Sequence, residues 1–67
     1  MPKKGDSVEI FENYITREKS EGFVTLVEQL KEPTRERWEG QDILVHYWDV
    51  RFAGERTPYP RFFTTNV

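Results

Sequence analysis

Ile43-Leu44-Val45-His46-Tyr47-Trp48-Asp49-Val50-Arg51-Phe52-Ala53 is the stretch whose reading decides the fold. Leu44, His46, Trp48, Val50 and Phe52 share one parity, and Tyr47, Asp49 and Arg51 share the other. Alternation with period two describes a strand buried on one face. Three aromatic side chains and the β-branched Ile43, Val45 and Val50 also favour the pleated over the helical backbone. Ala53-Gly54-Glu55-Arg56 then reads as a turn.

Working outward, Ser7-Val8-Glu9-Ile10-Phe11-Glu12 repeats the alternation, with Val8 and Ile10 set against Ser7, Glu9 and Phe11. Gly5-Asp6 before it is a turn signal, and Asn13 to Ser20 reads as a polar loop. Gly22 to Leu30 reads in two ways. Phe23, Leu26, Val27 and Leu30 lie at helical spacing, while Val24, Leu26 and Leu30 alternate as in a strand. The β-branched Val24, Thr25 and Val27, with Gly22 where a first helical turn would fall, put strand ahead of helix. Lys31 to Asp42 is polar apart from Trp38 and carries Pro33, which suits a loop or a long hairpin connection. At the far end Phe62 and Phe63 lie in a short stretch, Arg61 to Val67. Pro58 and Pro60 confine residues 57–60 to an edge, a bulge or a loop.

Several short strands broken by turns predict an all-β chain: a small antiparallel barrel of about five short strands, forming one domain over residues 1–67. The alternative is α+β, with a helix over 21–31 on a three- to four-stranded sheet. At 67 residues the core is thin, because a chain this short buries only about 60% of its unfolded surface. Cysteine is absent, so no disulfide reinforces it. Two Trp, three Tyr and five Phe are the means of filling it.

The order of the motifs resembles SH3-like barrels of the KOW type. Gly5-Asp6-Ser7-Val8-Glu9-Ile10 looks like the turn and first strand of that family. Glu21-Gly22-Phe23-Val24 is similar to the glycine that opens the second strand. Asp49-Val50-Arg51-Phe52-Ala53-Gly54-Glu55 resembles the third strand and its turn. Arg61-Phe62-Phe63-Thr64-Thr65-Asn66-Val67 covers the fourth strand and the terminal turn and strand. Against the family pattern, Glu12-Asn13 stands where a glycine is usual, segment 31–42 is longer, and the chain stops before a full last strand. The acidic-aromatic loop and paired tryptophans of signalling SH3 domains are missing.

Catalytic chemistry finds little material. His46 is the only histidine, no serine lies in a glycine elbow, and no thiol is present, so no nucleophile–base pair is legible. No phosphate loop, metal-ligand spacing or Ca²⁺ loop occurs, and a sugar cleft flanked by two carboxylates does not fit so small a barrel. The reading is therefore a noncatalytic module with no cofactor, no metal and no small-molecule substrate. No apolar run approaches the roughly 20 residues of a membrane span, and no signal peptide is legible. A cytoplasmic setting is expected.

Aromatics beside arginines are the remaining signal, since such pairs anchor interfaces. Tyr47, Arg51, Arg56, Tyr59, Arg61 and Phe63 form the candidate binding face. It is read as a surface for protein association, either with a second copy or with a larger partner. Nucleic acid, as RNA or single-stranded DNA, is the alternative partner on the same face. The net charge of −2, with acids and bases interspersed, disfavours strong nonspecific phosphate binding.

Overall fold

The computed structural model describes residues 1–67, and the chain is all-β. Four strands follow in order: β1 (Ser7–Asn13), β2 (Glu18–Trp38), β3 (Gln41–Phe52) and β4 (Tyr59–Asn66). They form one antiparallel meander in sequence order. No helix is present, so Gly22–Leu30 takes the strand reading and the helix over 21–31 does not form.

Two sequence expectations are corrected. The sheet has four strands rather than five, and it is open: β1 and β4 are its edges and share no ladder. Segment 31–42 is mostly strand rather than loop. β2 runs on to Trp38, which pairs with Gln41 across the two-residue turn Glu39-Gly40. Both turn residues have positive φ, 49° and 78°, as a type I′ hairpin requires. Pro33 does not end the strand, because the register shifts between Lys31 and Thr34 and the missing N–H falls in that irregularity. Of the edge, bulge or loop expected for residues 57–60, Tyr59 and Pro60 take the edge: they open the edge strand β4.

At about 3.3 Å per residue a straight β2 of 21 residues would reach about 70 Å. The whole molecule measures only 38 Å along its longest axis, so β2 must bend strongly. Its register shifts next to Val27, Leu30 and Glu32-Pro33 supply the bends. They also break the parity of the strand. Val24 and Leu26 are buried, but Leu30, which a regular strand would place beside them, is exposed. A further bulge starts β1. The Gly5 N–H donates to the Leu26 carbonyl and the Leu26 N–H donates to the Asp6 carbonyl, both at 2.9 Å. Gly5 sits at φ 90°, the left-handed position that this bulge assigns to glycine.

The curled sheet encloses one core on its inner face: Ile10, Val24, Leu26, Trp48, Val50 and Phe63, with Val8 and Phe52 packed against it. These are the inward parities expected of β1 and β3. The curl also brings the β1–β2 turn onto β4. Arg17 Nη2 donates to the Thr64 carbonyl (3.1 Å), and Thr64 Oγ1 donates to the Tyr14 carbonyl (3.3 Å).

Candidate functional site

Cross-strand register distributes the six candidate residues over two faces and the core. Trp48 pairs with Arg61, and Val50 with Tyr59, so Tyr59 and Arg61 share the inner face with the core. Tyr47 pairs with Phe62 and lies on the outer face. Arg51 is exposed on the outer face, opposite Thr25. Arg56 is exposed in the connection between β3 and β4. Phe63 is 5% exposed and belongs to the core, stacked on His46, so it is not part of any binding face.

Tyr59 and Arg61 are brought together at the open rim of the core. The Arg61 guanidinium lies over the Phe52 ring (5.6 Å) and the Tyr59 ring (5.8 Å), and those two rings meet edge to face at 6.2 Å. Arg61 Nε donates to Glu21 Oε1 at 3.3 Å, and Tyr59 Oη donates to Glu55 Oε1 at 3.2 Å. Tyr59 remains 37% exposed. The rim is thus an ordered arginine–aromatic surface whose cation is held by a carboxylate. Such solvent-facing ion pairs contribute about 0.2–1 kcal/mol each, so they fix geometry more than stability.

A second cluster runs across the outer face. Phe62 stacks on Tyr47 (4.4 Å) and on Tyr14 (5.0 Å), while Lys31 Nζ stands 5.6 Å from the Tyr47 centroid and 5.9 Å from that of Phe62. All three rings are half-buried against one another. Further along the outer face Phe23 is 63% exposed, diagonal to Arg51 and opposite Glu9. Sequence reasoning missed Phe52 and Glu21 at the rim, and Lys31, Phe62 and Tyr14 in the outer stripe. Adjacent Phe62 and Phe63 did signal that only one ring could enter the core. Which one enters depends on register with β3.

No protein-family model matches the chain, and no curated protein or solved structure does so either.

His46 is locked in place. It is 1% exposed, its Nε2 is hydrogen-bonded to Thr65 Oγ1 at 2.7 Å, and its ring stacks on Phe63 at 4.9 Å. Burial lowers its pKa below the ordinary 6.5, with a smaller push from the amino-terminal ammonium of Met1. No group of three or more His, Asp or Glu side chains gathers to hold a metal ion. No helix is long and apolar enough to cross a membrane.

Proposed function

We propose that the chain is a noncatalytic binding module that associates with protein, either a second copy or a larger partner, through the rim of Tyr59, Arg61 and Phe52. The observation that carries this reading is the Arg61 guanidinium, held by Glu21 over two rings of which one is well exposed. Pre-ordered arginine and tyrosine lose little entropy on contact and are frequent interface anchors. Arg56 is exposed in the adjoining connection between β3 and β4. Carboxylates at Glu21 and Glu55 sit inside the cluster, which favours protein over the phosphates of a nucleic acid. The noncatalytic part rests on His46, whose ring has no access to solvent and whose Nε2 is engaged by the Thr65 hydroxyl inside the fold, out of reach of a substrate. We read the curled meander as a reduced SH3-like barrel of the KOW type in a cytoplasmic setting. Gly5 in the opening bulge and Gly22 early in β2, both at positive φ, support that reading.

A photo-crosslinking amino acid in place of Tyr59 tests the association. Protein adducts in cells, lost when Arg61→Ala is added, are the expected result. A melting temperature that is flat over a hundredfold dilution, together with no adduct, removes the proposal. A fluorescent single strand that binds the rim with steeply salt-dependent affinity assigns it to nucleic acid instead.

A further inference from the structure

The open seam between β1 and β4 carries an inference separate from the rim, with which it shares no residue. Because the Asp6 carbonyl accepts from Leu26, alternation along β1 turns the backbone N–H and C=O of Ser7 and Glu9 away from β2, toward the free edge. No strand pairs with them. The edge of β4 is guarded by comparison. Its Thr64 carbonyl is taken by Arg17, and Pro60 has no N–H to offer. The seam is latched at that end and open at the other. A cleft of about 280 Å³ runs beside Val8 and Phe11 up to the latch, with Arg17 and Thr64 in its wall, and one of about 460 Å³ lies beside Ser7 and Val8.

The charge along β1 itself is of one sign: Asp6 precedes the strand, Glu9 and Glu12 lie on it, and no basic residue occurs between Gly5 and Thr16. Arg17, in the wall of the smaller cleft, has its guanidinium committed to the Thr64 carbonyl. Glu9 has one oxygen engaged by the Ser20 hydroxyl at 2.6 Å and is otherwise exposed. A second copy is a poor occupant. Pairing β1 with another β1 would set Glu9 and Glu12 of both copies on one ribbon with no cation, and like charges across strands are destabilising. We propose that the free edge of β1 takes up an extended segment of a partner protein in which apolar and basic residues alternate. Its backbone pairs with Ser7 and Glu9. Its apolar side chains enter the cleft beside Val8 and Phe11, and its cations meet Glu9 and Glu12. Strand addition of this kind draws affinity from the main chain and specificity from alternate side chains.

A nine-residue synthetic peptide alternating Val and Lys is the probe, titrated into the ¹⁵N-labelled full chain. The expected result is slowed hydrogen exchange at the Ser7 and Glu9 amides, with shifts along β1 and none at Tyr59 or Arg61. Two controls leave the protein untouched: a Val/Glu peptide, and a Val/Lys peptide N-methylated on its pairing edge. Each should bind at least tenfold more weakly, as should the Val/Lys peptide to Glu9→Lys. Equal binding of all three peptides, shifts confined to the rim, or no shift at millimolar peptide overturns the proposal. So does protection of Ser7 and Glu9 that appears on concentrating the protein alone, which assigns the edge to a second copy.

Discussion

His46 shows how one residue's position sets its chemistry. Its parity on β3 sends the ring inward, where Phe63 covers its face and Thr65 takes its Nε2. Burial disfavours the charged form, so the folded-state pKa lies below the unfolded value of about 6.5. The unfolded chain therefore binds more protons between those two values. Stability is fully present above pH 6.5, falls as the pH drops from there to the folded pKa, and loses no more from this group below it. Melting temperatures of the wild type and of His46→Gln, measured from pH 7.5 to 5, should differ in slope. The wild type declines across the window, while the variant declines less. Parallel curves would show that His46 is not the source. Phe63 obeys the same logic. Sharing the parity of Arg61 did not make it a surface residue, because it lies opposite His46 over the core while Arg61 stands at the rim.

At the scale of elements, strands with strict alternation were legible and those with broken register were not. β3 kept period two from His46 to Phe52, and β1 kept it from Ser7 to Ile10, before its own register shift at Phe11; their inward sets form the core with Val24, Leu26 and Phe63. β2 defeated the reading because each register shift moves the following side chains to the other face. Polar composition and Pro33 made residues 31–38 look like loop, although tertiary pairing with β3 holds them extended. The candidate face failed for a related reason. The aromatic–arginine reading put Tyr59 and Arg61 in one set, and the structure brings these two together, but which face of β3 they join depends on a register that the linear sequence does not display. The hairpin turn carries its own prediction. Glu39 occupies the left-handed region at φ 49°, where Asn is better tolerated. Glu39→Asn should stabilise the β2–β3 hairpin by about 0.5–1 kcal/mol. The readout is two- to fivefold slower amide exchange at Arg37 and Trp38. Unchanged or faster exchange would mean that the turn carries no strain.

Across the whole molecule, stability should be unevenly spread, because all of the core lies at one end of β2. Ile10, Val24, Leu26, Trp48, Val50 and Phe63 form a single cluster, whereas every residue from Thr34 to Asp42 is exposed. That outer hairpin has two strands and ion pairs of Arg35 and Arg37 with Asp42, both at 3.7 Å and well exposed. Isolated two-stranded hairpins are marginal, and exposed ion pairs add little. A chain of this length has a total stability of about 3–10 kcal/mol, nearly all of it assignable to the cluster. The two tryptophans divide between these regions: Trp48 is in the core, and Trp38 is 43% exposed at the hairpin end. With both labelled as 5-fluorotryptophan, fluorine NMR should show Trp38 reaching its unfolded shift at lower urea than Trp48. Leu26→Ala, which costs about 2–5 kcal/mol, should move the Trp48 midpoint much further than that of Trp38. Coincident midpoints in both proteins would show instead that the hairpin is cooperatively tied to the core through the bends of β2.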